Sequence, residues 1–518
     1  MIPTWQLIEA YLAHWQDLAS TLGLSPVTAV AGASTFAVFT TGGSLIWIRH
    51  STWVENIGRA IPKRVVCFAM IAASLVSGYR IYEAKEGLNI GTAEPVMLAL
   101  NPSFANAVST SIWQHSPSSL TRPPTGELEE YLPSEVFSPR NVILIVGDAL
   151  RASRMSLFGH DRKTTPFLDA MHDSGNLHLT TRAHSICSES FCGLLGLSTA
   201  RFVHQIPSTS PNLAQVLRMH GYRVELILGG DHTNFYGLAD ALGPYDSFWD
   251  GTMSNGYLNN DRAVLEKAAN LPAFRGTPIL MQFHLMSSHA LGQRNEPFVS
   301  FSPVANYYLR HRLPADPGQA QEWSRNFYDN GVLQLDHTVK ELLKTLENLG
   351  YLQNSIVVIT SDHGEMLGEH GIFGHAFTVR QPALDIPLIL MRFGFQGEPI
   401  ATDRLPSQAD VAPTILAELD IQPPAGWSGR ALQGAETLDF SFFQQAEEIG
   451  LFDHRDEAGI WKFWINMKSQ QQYAYRLETD PSEDQNVVQE VPYALRQEWM
   501  ELLVRDRLRS PAVSEPAP

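Results

Sequence analysis

The run Ile356-Val357-Val358-Ile359-Thr360-Ser361-Asp362-His363-Gly364-Glu365 decides the fold class of this chain. Its first five residues are all β-branched. Such a run is too short for a helix and predicts a buried strand. Asp362 and His363 then stand where the strand gives way to a Gly-rich loop. In open α/β sheets, ligands bind outside such strand ends. A carboxylate beside an imidazole, with His375 twelve residues further on, points to metal chemistry if partners arrive from elsewhere in the chain.

Working outward, the same pattern recurs. Val142-Ile143-Leu144-Ile145-Val146 reads as a buried strand ended by Gly147-Asp148, and Val224–Leu228, Ile279–Leu285 and Ile386–Leu390 are further candidates. Helical periodicity lies between them, notably over Val332–Leu349. The alternation predicts an α/β fold, with a mostly parallel central sheet and helices on both faces. Parallel strand ends share one edge, so Asp148, Asp362 and His363 can converge from distant sequence. Two carboxylates and an imidazole suit zinc, or manganese in a harder site, with magnesium and calcium as further divalent alternatives.

Ala183-His184-Ser185-Ile186-Cys187-Ser188-Glu189-Ser190-Phe191-Cys192-Gly193 offers several nucleophiles ahead of a helix-like apolar run, Leu194–Leu197. A hydroxyl or thiol there meets the positive end of the helix dipole, and a bound metal lowers its pKa further. His284-Leu285-Met286-Ser287-Ser288-His289 is another strand end, and Gly371-Ile372-Phe373-Gly374-His375 adds a further imidazole.

A net charge of -17 leaves no basic face for phosphate backbones, which argues against nucleic acid as a partner. Three cysteines are too few for a disulfide scaffold. Cys187 and Cys192 are close enough for one local disulfide in an oxidising compartment.

The N-terminal part reads differently. Residues 3–22 form an amphipathic pattern with Trp5, Ile8, Leu12 and Trp15 on one face. No charged residue occurs from Leu18 to Ile48, and a second apolar run, Val65–Tyr79, lies between Arg64 and Arg80. We expect residues 1–85 to be a membrane anchor with two transmembrane helices, about 26–48 and 64–80. The connecting loop holds Arg49, Arg59, Lys63 and Arg64 against Glu55, which makes it cytoplasmic by the positive-inside rule. The protein is then a two-pass inner or plasma membrane protein with its remaining chain on the periplasmic or extracellular side. Residues 86–138, rich in Pro, Ser, Thr and Ala, read as a linker. The catalytic domain is expected over 139–435. A small α+β subdomain is expected over 436–518, with strands at Trp461–Ile465 and Tyr473–Leu477 and a helix at Ala494–Leu508.

Several segments together resemble the alkaline-phosphatase superfamily in its sulfatase-like branch, most closely the membrane-anchored phosphoethanolamine and phosphoglycerol transferases. V-G-D-A-L-R-A-S-R-M-S-L-F-G-H-D-R-K-T-T-P-F-L is similar to the family's opening motif, and puts an acidic metal ligand on Asp148. S-D-H-G-E carries the next two ligands, Asp362 and His363. The resemblance implies that His289 and His375 bind the transferred phosphate or a second metal. N-F-Y-D-N-G-V-L-Q-L-D-H-T-V-K-E-L-L, S-Q-A-D-V-A-P-T-I-L and L-E-T-D-P-S-E-D-Q-N resemble later family segments in the same order, over roughly 139–485.

The departures bear on the nucleophile. C-S-E-S-F lacks the Pro and Arg of the sulfatase C-x-P-x-R motif, so conversion of Cys187 to formylglycine is not expected. No Thr, the nucleophile of the transferases, stands there. Ungapped matching from Asn176 places the nucleophile, and a further metal ligand, on Ser190; the C-S-x-S pattern places it on Cys187. The resemblance also implies that Cys187 and Cys192 flank Ser190 as a disulfide. The activity implied is transfer of a phosphoethanolamine- or phosphoglycerol-type group from a phospholipid donor to a glycan or lipid acceptor, through a covalent enzyme intermediate. The alternatives are a sulfatase-like hydrolase of sulfuric esters or phosphodiesters, and a non-catalytic membrane-bound relative.

Overall fold

Strand β1 (Asn141–Gly147) is apolar along both of its faces, and this places it at the centre of the molecule. Alternate residues of a strand point to opposite faces. Val142, Leu144 and Val146 enter one hydrophobic core, and Ile143 and Ile145 enter another. A sheet buried on both faces needs cover on both.

The computed structural model describes residues 130–206, 211–235, 237–400, 405–434 and 438–509, apart from the isolated His14 and Asp17. The expected two-span anchor and residues 86–129 of the expected linker lie outside the described residues. Among the described residues no helix is long and apolar enough to cross a membrane.

After β1 come β2 (Leu179–His184), β3 (Arg223–Leu228), β4 (Ser247–Asp250), β5 (Ile279–Leu285) and β6 (Ser355–Ser361). A short hairpin, β7 (Met366–Leu367) and β8 (Phe373–Gly374), precedes β9 (Asp385–Phe393). The main sheet has seven strands in the order β2-β9-β6-β1-β5-β3-β4. Its pairs are parallel except where β9 meets β6 and β2, so β9 alone runs against the others.

One face of the sheet carries α1 (Ser190–Thr199), α2 (Leu213–Met219) and, later in the chain, Val411–Glu418; they contribute Leu194, Val216 and Ile415 to its core. On the other lie Pro166–Asp173, α3 (Asp261–Ala269) and α4 (Pro317–Asn348), with Leu168, Val264, Leu335 and Val339. Helix α4, at 32 residues, spans roughly 48 Å at 1.5 Å per residue. Pro317 opens it, and the Asp316 side chain accepts from the Gln319 amide at 2.9 Å.

A second, antiparallel sheet follows in the order β10 (Phe440–Gln445), β11 (Glu448–Asp453), β12 (Trp461–Asn466) and β13 (Gln472–Arg476). Helix α5 (Tyr493–Arg509) follows it in the chain, and its Trp499 is fully buried in the sheet's core.

The strands expected from sequence all form, and α4 extends the expected Val332–Leu349 helix N-terminally by 15 residues to Pro317. Strands β2, β4, β7, β8, β10 and β11 are not among the expected strands. L-T-T-R-A-H and S-F-W-D carry too few apolar residues to stand out, and it is pairing with β9 and β3 that makes them strands. The last residues of the expected linker are also not free. The Tyr131 hydroxyl donates to the Gln422 carbonyl at 2.8 Å, and the Ser138 hydroxyl to Asp420 at 2.7 Å.

Candidate active site

Gly147 of β1 is in register with Ser361 of β6 on one side and Leu285 of β5 on the other. The residues that follow these neighbouring parallel strands therefore emerge at one edge. They are Asp148, then Asp362 and His363, then the turn to His289. His284 joins them as the penultimate residue of β5.

The Asp362 Oδ1 atom accepts from the amides of Ala149 at 3.0 Å and His363 at 2.9 Å. Its Oδ2 atom and Asp148 Oδ1 are buried without a hydrogen bond. The His363 Nδ1–H donates to the Gly364 carbonyl at 2.8 Å, which leaves the lone pair on Nε2. That Nε2 lies 3.6 Å from Asp362 Oδ2, 3.8 Å from Asp148 Oδ1 and 3.3 Å from Ser190 Oγ. Two orphaned carboxylate oxygens and a hydroxyl thus lie within 3.8 Å of one imidazole lone pair. This donor set fits a divalent cation, and the unsatisfied oxygens are the observation that says so. Ligand atoms of Asp148, His284 and Asp362 also lie within 4.8 Å of one another.

Burial would raise the Asp148 carboxyl. The charges of His289 and His284, with the His284 hydrogen bond at 3.2 Å, outweigh it and hold the group well below the usual carboxylate range. Burial pushes His363 below the ordinary imidazole value, which favours the neutral form that ligates metals.

Ser190 is the first residue of α1, with its hydroxyl at the helix's positive end. Gly193, one turn on, lets the helix approach the strand end: a Cβ there would sit 2.2 Å from the Asp362 carbonyl oxygen. Cys187, the alternative nucleophile, is bonded to Cys192. A disulfide sulfur offers no thiolate, so in this form Cys187 cannot attack.

His289 and His375 lie across the site with ring centroids 5.3 Å apart, and His375 is 4.3 Å from the His363 ring. The His375 Nδ1 is 3.2 Å from the Glu365 carboxylate, which also accepts from the Tyr307 hydroxyl at 2.8 Å. His289 Nε2 meets the Tyr308 hydroxyl at 3.1 Å.

The other quoted motifs brace this edge. Tyr328 of α4 accepts from the Arg151 amide at 2.7 Å and donates to the Ala149 carbonyl. Asp329 receives Arg154 and Arg162. The Gln408 side-chain amide donates to the carbonyls of Ser361 and Asp362 at 3.0 and 2.8 Å. Glu483 is paired with Lys462, and both are fully buried.

The sulfatase family model matches residues 140–421, more than half of the chain. The chain belongs to the sulfatase family. Phosphatidylethanolamine transferase Mcr-1 of Escherichia coli is 25% identical over 312 residues, covering 55% of this chain and 55% of that protein. Arylsulfatase K of Mus musculus is 28% identical over 184 residues, covering 32% and 33%. The phosphonate monoester hydrolase of Agrobacterium radiobacter shares the fold, with a TM-score of 0.51 at 19% identity over 72% of this chain and 96% of that one. This sulfatase-family chain spans about half the length of Mcr-1, and less of the arylsulfatase.

Sequence reasoning did not assign His284, Glu365 or the two tyrosines. His284 did carry a signal: with Gln282 it is one of two polar residues in an otherwise apolar buried strand.

Proposed function

We propose that this sulfatase-family protein is a metal-dependent phosphotransferase that works through a covalent adduct on Ser190. The donor is a phospholipid, the group transferred is of phosphoethanolamine or phosphoglycerol type, and the acceptor is a glycan or lipid hydroxyl. The observation that carries the reading is the Ser190 hydroxyl, at a helix N-terminus, 3.3 Å from His363 Nε2, which itself lies 3.6 and 3.8 Å from the orphaned oxygens of Asp362 and Asp148. The similarity to Mcr-1 supports the donor class. The disulfide supports an oxidising compartment, in keeping with a membrane anchor and an outward-facing catalytic domain.

Asp148, Asp362, His363 and Ser190 would hold the cation, zinc first among the divalent metals for this donor set. When bound it lowers the hydroxyl's pKa and offsets charge on the phosphoryl oxygens. Ser190 Oγ, ionised by loss of its proton to solvent, forms a bond to phosphorus as the bond to the diacylglycerol oxygen breaks, and it returns to the ionised form when the adduct is resolved. His289 and His375 hold the phosphoryl oxygens, and one of them supplies the leaving alcohol's proton. The acceptor hydroxyl then attacks phosphorus, gives its proton to that histidine and releases Ser190.

The test is peptide-mapping mass spectrometry of the full chain in detergent after incubation with phospholipids. A headgroup-phosphate adduct is expected on Ser190, absent from Ser190→Ala although that variant keeps its metal. An adduct that survives in Ser190→Ala and disappears in Cys187→Ser would overturn the assignment. Release of the free phospho-headgroup in the presence of acceptor would mark the protein as a hydrolase, the activity class of the arylsulfatase relative.

A further inference from the structure

The antiparallel sheet reaches into the catalytic edge through Gln445, the last residue of β10 and 5% exposed. Its side-chain oxygen accepts from the Ser188 amide at 3.1 Å, and its side-chain nitrogen donates to the Ala376 carbonyl at 3.0 Å. Ser188 stands two residues before Ser190, and Ala376 follows His375 directly. The two loops are joined again by the Ala376 amide on the Ser188 carbonyl at 2.7 Å, and by the Ser188 hydroxyl on the Thr378 carbonyl at 2.8 Å. A peptide-like amide is therefore inserted between two loops that each carry a proposed reacting group.

Ala376 adopts φ +73, a left-handed conformation that a non-glycine residue holds only when its surroundings impose it. The same sheet grips the chain beyond it. Glu448 accepts from the Val379 amide at 3.0 Å, and the buried Lys462 ammonium donates to the Val379 carbonyl at 2.7 Å. The Gln444 amide donates to the Ile186 carbonyl at 2.9 Å on the nucleophile side.

We infer that Gln445 is a positioning residue that sets the spacing between Ser190 and His375, so that the second sheet is part of the catalytic apparatus. The inference rests on the transfer reading above. Its orientation is dictated by its neighbours: the oxygen faces a donor and the nitrogen an acceptor. Gln445→Glu keeps the shape but turns a carboxylate oxygen toward the Ala376 carbonyl. Gln445→Met keeps the length and removes both bonds.

The experiment measures turnover of bis(p-nitrophenyl) phosphate, metal content, melting temperature and amide exchange on the full chain in detergent. Both variants are expected to lose at least about tenfold in kcat with KM within about twofold and metal content unchanged. Amide exchange over 185–190 and over 374–379 is expected to rise together. Wild-type protection of both segments in Gln445→Glu and Gln445→Met would overturn the inference, whatever the outcome with the phosphodiester. A wild-type protein that neither turns over nor forms an adduct contradicts the transfer reading instead, and the exchange result then decides the role of Gln445. Equal loss of metal, melting temperature and activity would make Gln445 a fold stabiliser and also overturn the inference.

Discussion

Glu369 shows how single charges brace the catalytic edge from outside the metal centre. Burial would raise its carboxyl, but the Arg151 guanidinium at 2.8 Å more than offsets this and holds the group at about 2, below its ordinary 4.5. A carboxyl depressed by folding adds stability that is present above its unfolded value and lost as pH falls toward its folded one. The Glu369 side chain is 16% exposed, so solvent screening takes only part of the effect. The difference corresponds to at most about 3 kcal/mol. Glu369→Gln is therefore expected to be less stable than wild type at pH 7, with the gap narrowing from pH 4.5 to pH 2. Urea denaturation at pH 7, 4 and 3 would measure this; a gap independent of pH would mean that packing, not charge, holds the residue. Arg151 lies three residues after Asp148, so this pair also secures the turn that presents the first of the proposed acidic ligands.

Among the elements, α1 is closely constrained on all sides. Its residues from Ser190 to Ser198 are all buried, and a helix apolar on every side needs no amphipathic stripe. Gly193 is what allows it to touch the end of β6, because any side chain there would enter the Asp362 carbonyl. Gly193→Ala must push α1 away from the edge proposed to bind the metal, at a cost of about 1–3 kcal/mol for overpacking. The expected result is a lower melting temperature together with weaker metal binding and slower adduct formation on Ser190. Calorimetry with metal analysis separates these; an alanine variant with full metal affinity would show that the contact is not required. The disulfide from Cys187 to Cys192 spans the preceding turn and the first residues of α1, so Ser190 is held by covalent structure on one side and by close packing on the other.

Across the whole molecule, the cation is expected to contribute to stability as well as chemistry. Without it, Asp148 and Asp362 keep two buried oxygens unsatisfied. Binding to the folded chain alone stabilises it by about 2.7 kcal/mol when the metal is at a hundred times its dissociation constant. Chelation should therefore lower the melting temperature by on the order of 5 °C, and added zinc should restore it. Asp148→Asn should not respond to either treatment, and a wild-type protein indifferent to both would contradict the metal assignment. The strand runs around Val142–Val146 and Ile356–Thr360, and the acidic residues that end them, were legible in the chain, because a doubly covered parallel sheet writes continuous apolar runs and sends their ends to one edge. The polar residues flanking Cys187 did not reveal which of them meets His363; that was decided by a helix start packed through Gly193. The place of Gln445 left no local mark, because the two loops it bridges lie 257 and 69 residues away in the chain. The order of apolar runs and chemical residues by itself determined the sheet and its reactive edge. Only tertiary packing brought Ser190 to within 3.3 Å of His363 and added His284, Glu365 and the amide of Gln445 to that edge, since hydrogen-bond geometry exists only after the chain has folded.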